Sequence, residues 1–332
     1  MIVENFIKDS IKAIKEYYIL PSGELKYPTN KLGIFGKIDE TYFDESILYR
    51  TYFYLNTAVF TALFLEDKEA LAKELSSAKA MSFLVLRLLS KNLCSCSGYK
   101  DDSADYFSDK MVKIVPLLTP SALAEDWGEL KTLTQFCIDS LNAKGCIVGR
   151  GQPDALIAWY VIKLLSMIFE QPIDKRKPFA PPLKKFKSYQ LLLDNWDIED
   201  TMKMEKQVYL LCELHILADE YIDDNLQYHM DEEVVTILPY EVIIWLKLRE
   251  YKGLKNPKNF SHPLMQTKLM KKLLRIDTNL PAPQGDPELK LFLEEKVQVM
   301  CPDNDVEIPA WLDGNNEPTP NNEDILPDDF MK

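Results

Sequence analysis

The sequence predicts an all-α protein of about ten helices, arranged mostly as antiparallel hairpins and followed by an irregular acidic tail. Three observations predict this class. Apolar residues recur at helical spacing, proline and glycine stand where the periodic segments begin and end, and β-branched residues do not alternate as they do in strands. We therefore expect strands to be scarce and the core to be built from helix faces.

The first predicted helices lie in the N-terminal third of the chain. Residues 3–18 form an amphipathic helix with Phe6, Ile7, Ile11, Ile14 and Tyr18 facing inward. A long helix from about Asp44 contains the charge-free stretch Thr51–Leu65, whose 15 residues are too few to cross a bilayer. Asp67 then caps a partner helix. We expect these two long helices to form the largest apolar pair of this half.

Proline marks two further helix starts. Thr119 is expected to cap, and Pro120 to open, a helix that continues until just before Gly145. Pro153 opens the next helix, after a glycine-rich connection that lacks the lysine of a phosphate-binding loop. Both segments are expected to contribute apolar faces to the core.

The best internal boundary is the proline-rich, basic segment 172–187. It either joins two halves, 1–171 and 188–300, or crosses over within one domain that spans 1–300. The tail, residues 301–332, contains nine acids and one base, so it carries −8 of the net charge of −13. The preceding body of the protein is therefore only mildly acidic.

The segment Glu205–Gly253 is predicted to be a helical hairpin. Pro239 opens its second helix, and Gly253 follows the last turn, where it suits a left-handed stop. Helices near 261–274 and 286–300 come next. The first helix of the hairpin has an apolar face, which we assign to the core: Val208, Leu210, Leu211, Leu214, Leu217, Ala218, Tyr221 and Ile222.

Four acids at the end of that helix form what we call the acidic ridge: Asp219, Glu220, Asp223 and Asp224. Like charges spaced i,i+4 cost a few tenths of a kcal/mol per pair, and the C-terminal end of a helix dipole disfavours anions. The ridge is either a solvated face beside a turn or a surface that receives a cationic partner. Tyr221 and Tyr228 are candidate aromatic anchors for such a partner.

Charge and cysteine content narrow the class of partner and the compartment. A net charge of −13 and a pI near 4.9 oppose a general affinity for nucleic acid or an anionic membrane, and they favour a basic protein. Six scattered cysteines without framework spacing, and no recognisable signal peptide, predict a reducing cytoplasm.

The sequence carries one pattern typical of an enzyme. Asp101, Asp102 and Asp105 match the DDxxD pattern with which all-α isoprenoid synthases hold magnesium and diphosphate. The second metal motif of those enzymes fails over Asp223–Asp231, and the first one lies in a polar loop. The three aspartates are therefore expected to be a solvated loop, and they count as further candidate partner-binding residues.

Nucleophilic and metal chemistry have little support. The chain has three histidines and no G-x-S-x-G elbow. His215 stands i,i+4 from Asp219 and is either an oriented base or, more commonly for such a pair, one half of a structural hydrogen bond. Cys94 and Cys96 lack the spacing of a zinc site. We expect no enzyme, no cofactor and no metal.

A succession of C-terminal segments resembles a known family. It consists of LPYEVIIWLKLREYKGL (238–254), SHPLMQTKLMKKLL (261–274), DPELKLFLEEKV (286–297) and VEIPAWL (306–312), with His262-Pro263-Leu264 and the later Ile308-Pro309 as its main features. This order resembles the bacterial Immunity 49 family of cytoplasmic all-α proteins. The resemblance implies a protein that neutralises a cognate toxin by contact. A helical adaptor or scaffold and an isoprenoid-type enzyme are the alternatives.

Overall fold

The computed structural model describes residues 2–18, 43–95, 112–144, 153–174, 187–220, 236–300 and 307–314. Within these ranges the chain forms eleven α-helices and no strand, so the predicted all-α class is confirmed. None of the described helices combines the length and the apolar character needed to cross a bilayer.

The helix bounds are as follows, in chain order. The α-helices are α1 (Ile2–Tyr18), α2 (Phe43–Phe64), α3 (Lys68–Ser95), α4 (Thr119–Leu123), α5 (Trp127–Lys144), α6 (Pro153–Ile168), α7 (Lys187–Asp194), α8 (Thr201–Glu220), α9 (Tyr240–Tyr251), α10 (Lys268–Leu273) and α11 (Pro287–Met300). Three short 3₁₀ helices lie at Val115–Leu118, Pro263–Gln266 and Ala310–Asp313.

Helices α2 and α3 form the long apolar hairpin that the sequence predicted. Residues from Thr51 to Leu63 are almost all buried. The Asp67 carboxylate accepts from the Ala70 backbone N–H at 2.9 Å, which is the expected N-cap of α3. The two longest helices of the N-terminal half therefore pack along each other.

The prediction of one continuous helix from Thr119 to just before Gly145 is wrong in one respect, because this segment forms two helices, α4 and α5. Glu125 takes a left-handed φ of 55°. Asp126 then caps α5, accepting from the Glu129 N–H at 3.0 Å. Pro120 is the second residue of α4 and not the first, because Thr119 is itself helical and does not cap.

Helix α6, which begins at Pro153 as predicted, lies at the centre of the fold. It packs against α5, α7, α8 and α9. The largest fully buried side chains include Trp159 and Tyr160 of α6, and Tyr240 and Trp245 of α9. These aromatic residues supply a large part of the apolar surface buried where α6 meets α9.

Helices α8 and α9 pack together, as expected for a helical hairpin. Pro239 precedes the first residue of α9, and Gly253 follows the helix with a left-handed φ of 74°. The buried Arg249 guanidinium donates to the backbone carbonyl oxygens of Trp196 and Ile198, each at 2.7 Å. This arginine therefore ties α9 to the turn that precedes α8.

The helix predicted near 261–274 is in fact two shorter helices, the 3₁₀ helix Pro263–Gln266 and α10. Thr267 lies between them and caps α10, because its hydroxyl accepts from the Met270 N–H at 3.3 Å.

A buried carboxylate connects α11 to the N-terminal helices. The Arg50 guanidinium donates to Asp286 at 2.7 Å. Because Asp286 also caps α11 by accepting from the Leu289 N–H at 3.1 Å, this carboxylate joins α11 to α2.

Part of the predicted tail packs on the protein. Leu312 is fully buried, and its carbonyl oxygen accepts from the Asp286 N–H at 2.9 Å. Residues 301–306 and 315–332 lie outside the described residues, as does most of the segment 172–187.

Candidate functional site

Most of the predicted site residues lie outside the described part of the chain. Asp219 and Glu220 occupy the last two positions of α8, and their side chains are not among those described. The other seven fall outside the described residues altogether: Asp101, Asp102, Asp105, Tyr221, Asp223, Asp224 and Tyr228. The structure therefore places two of the four ridge acids on α8 and leaves the other two outside the described residues.

Local sequence around the ridge supplies no basic residue to balance these acids. Between Lys206 and Lys247 there is no lysine or arginine. The same stretch contains nine acids: Glu213, Asp219, Glu220, Asp223, Asp224, Asp231, Glu232, Glu233 and Glu241. By contrast, the ion pairs that hold the described fold together, such as Lys79 with Asp126 at 2.7 Å, set each acid against a base.

One of those nine acids is buried with a histidine in the core. His215 and Glu241 are both 0% exposed, and His215 Nδ1 lies 2.9 Å from Glu241 Oε1. The other ring nitrogen, Nε2, lies 3.1 Å from the carbonyl oxygen of Thr236. The pair therefore links α8 to α9 and to the residues just before α9.

This position corrects the sequence interpretation of His215. We expected the ring to pair with Asp219, four residues further on, whereas it points into the core toward α9. Because both ring nitrogens face oxygen atoms of the protein, neither is free to take a proton from a substrate. The structural alternative, a histidine held by internal contacts, describes this residue, with Glu241 as its carboxylate partner.

A second buried histidine lies beside the first. His262 Nε2 is 3.2 Å from Glu213 Oε1 of α8, and its Nδ1 accepts from the Leu264 N–H at 3.2 Å. The edge of the His262 ring meets Tyr209 with the ring centroids 4.8 Å apart. Burial lowers the pKa of His262 below its usual 6.5, and the neighbouring His215 lowers it further, although the bond to Glu213 opposes this shift. The ring is therefore a neutral cap of the turn that precedes α10.

Cys212, on the same helix as His215, is held as a protonated thiol. Burial raises the pKa of the Cys212 thiol well above its ordinary value, and the carboxylates of Glu241 and Glu213 add to that effect. Burial and Glu241 likewise raise the pKa of Tyr160. A thiol attacks as the thiolate, so Cys212 is a core residue and not an activated nucleophile. In the described residues, no three of the metal-binding side chains His, Cys, Asp and Glu come together as a group.

The outer face of α8 carries a feature that the sequence analysis misplaced. We assigned Leu217 to the core, but it is 47% exposed, and Met202 and Tyr209 are 73% and 41% exposed. Leu210 and Leu214 are only half-buried. Residues two apart on a helix point about 160° apart, so burying His215 turns Leu217 outward.

These exposed side chains form a line together with two charged residues. We call it the outer stripe of α8: Met202, Lys206, Tyr209, Glu213 and Leu217. At 100° per residue its members lie within about 80° of arc and extend over about 22 Å. Helix α8 thus has an apolar inner face and a second, partly apolar outer one, which ends next to the first two acids of the ridge.

No family model matched the chain, and neither the curated proteins nor the solved structures with which it was compared gave a match.

Proposed function

We propose that this chain is an immunity protein, which binds a basic toxin domain through the acidic ridge and neutralises it by contact, without turnover of its own. The observation that carries the proposal is the run of acids at positions 219, 220, 223 and 224. Asp219 and Glu220 are the last two described residues of α8, and like charges at the i,i+4 spacing of the ridge disfavour a helix. Local helix stability therefore does not account for these acids, and a cationic partner does.

The surrounding charge supports the same function. The 40 residues between Lys206 and Lys247 contain nine acids and no lysine or arginine. Such a stretch creates a local negative field that attracts a basic surface over roughly a Debye length, about 8 Å at physiological salt. Opposed charges mainly raise association rates and select partners. This suits a protein that must find a toxin before the toxin finds its target.

The buried groups support binding rather than catalysis. His215 and His262 are engaged by Glu241 and Glu213, and Cys212 is held as a thiol. The packing around α8 and α9 accounts for the positions of these side chains. The resemblance of residues 238–312 to the Immunity 49 family supports the same proposal.

The test reverses all four ridge acids to lysine and measures binding to the basic toxin domain encoded beside this chain's gene. We expect slower association and weaker neutralisation, with a larger effect at low salt than at physiological salt. The melting temperature should stay the same or rise, because lysine suits the C-terminal end of a helix.

A matched control makes the same change of charge elsewhere. Reversing Glu323, Asp324, Asp328 and Asp329 of the tail alters the net charge by the same amount, and it should leave the association rate closer to that of the wild type. An unchanged association rate for the ridge variant at low salt would remove the ridge from the interface. A lower melting temperature with unchanged binding would mean that the ridge acids stabilise the fold instead.

A further inference from the structure

The outer stripe of α8 is self-complementary when read in the reverse direction. The point midway between Tyr209 and Leu210 is the centre of this symmetry. Met202 and Leu217 are equally far from this point, on opposite sides of it, and so are Lys206 and Glu213. An apolar residue is therefore matched with an apolar one, and a base with an acid.

We propose that two copies of this chain associate through α8, packed antiparallel about a two-fold axis that passes beside Tyr209. In a two-fold interface the same patch meets itself, so every contact occurs twice. Met202 of each copy then meets Leu217 of the other, and Lys206 of each copy meets Glu213 of the other. The two Tyr209 rings meet at the axis, where aromatic side chains contribute most to an interface.

The exposure of these residues fits an interface of this kind. Met202, Tyr209 and Leu217 are among the exposed large hydrophobic residues, and Lys206 is exposed as well. Their spacing of seven and then eight residues is close to two helical turns, so they stay on one line along the helix. A neighbouring helix can therefore contact all three at once.

The size of the interface sets how strong the association is. Helix α8 has 20 residues and is about 30 Å long, so a single pair of these helices lies at the low end of the range of protein interfaces. The net charge of −13 on each copy opposes association. We therefore expect a reversible dimer in the micromolar range, which salt strengthens by screening this repulsion.

The first measurement is sedimentation of the full chain from low to high micromolar concentration at physiological salt. We expect a monomer–dimer equilibrium. A chain that stays monomeric throughout this range would overturn the proposal.

The second measurement uses two single variants, Met202→Asp and Leu217→Lys. Each one places a charge against an apolar side chain twice in its own homodimer, so each should dissociate at least about tenfold more readily. When the two variants are mixed, the heterodimer has one Asp–Lys pair and one native Met202–Leu217 pair. Association should therefore recover on mixing.

Both substitutions fall on exposed residues, so both variants should fold, and circular dichroism with the melting temperature checks this. The matched control is Leu191→Asp, because Leu191 is 54% exposed on α7 and lies outside the stripe. It should leave the dimer unchanged. Two variants that weaken the dimer without recovery on mixing, or a control that weakens it equally, would place the interface elsewhere.

Discussion

The buried pair His215–Glu241 allows a quantitative prediction, because both side chains are 0% exposed and lie 2.9 Å apart. Replacing one partner leaves the polar group of the other buried without the group that it faces. We expect His215→Leu and Glu241→Met each to lower the free energy of unfolding by about 3–5 kcal/mol. The loss should appear as a lower urea midpoint with an unchanged slope.

The double variant separates the polar pair from the packing around it. With both polar side chains gone, neither is left buried opposite an apolar residue, and apolar replacements of similar volume are often neutral. The Thr236 carbonyl oxygen loses its contact with the His215 ring, which costs about 1–3 kcal/mol. The double variant should therefore be more stable than the sum of the two single losses predicts, with a coupling energy of about 3 kcal/mol or more.

An exposed ion pair serves as the control. Lys268 and Glu66 also form an ion pair, with side chains that are 47% and 73% exposed. Glu66→Gln should leave the unfolding midpoint almost unchanged, since water and salt screen such a pair. If the two core substitutions prove additive, or if each costs no more than the change at Glu66, the buried pair does not hold α8 against α9 as argued.

Three further predictions concern other parts of the molecule. Because the pKa of His262 is lowered by burial, the unfolded chain takes up a proton first as the pH falls below about 6.5. Stability should then fall by up to about 1.4 kcal/mol per pH unit, and His262→Asn, which keeps a capping side chain, should lack this part of the slope in urea titrations at several pH values. Gly285→Ala should destabilise strongly, because its Cβ would lie 2.2 Å from the Gly314 Cα, whereas Gly253→Ala, with open space but a φ of 74°, should cost only about 1–2 kcal/mol; calorimetry compares the two. Replacing the three aspartates of the DDxxD motif by alanine should leave the melting temperature the same with and without magnesium. A magnesium-dependent rise that is lost in this variant would instead favour a diphosphate site, since a ligand stabilises the state that binds it.

The helices were predictable where a local signal marked their ends. Asp67, Pro153 and Gly253 stand at helix ends as the sequence indicated. The break between α4 and α5 had such a signal as well, because Asp126 and Glu129 stand at the spacing of a capping box. It was missed because the apolar periodicity on both sides of the break reads as one continuous helix.

The internal contacts of α8 were not predictable from local pattern. His215 and Glu241 are 26 residues apart in sequence and meet only because α8 and α9 pack together. A helical wheel also assumes one apolar face. Because α8 has apolar residues on two faces, Leu217 was assigned to the core, although it is exposed.

Two apolar faces on one helix are themselves informative. Val208, Leu211 and His215 face inward, where α6 and α9 cover them, while Met202, Lys206, Tyr209 and Leu217 of the outer stripe stay exposed among the described residues. A surface helix normally needs only one apolar face, so the outer one is explained by a second contact surface. Asp219 and Glu220 follow Leu217 in the chain and so lie beyond the last matched pair of the proposed dimer. An antiparallel pair of α8 helices therefore leaves one acidic ridge at each end of the seam, and a dimer of this kind can bind two basic partners at once.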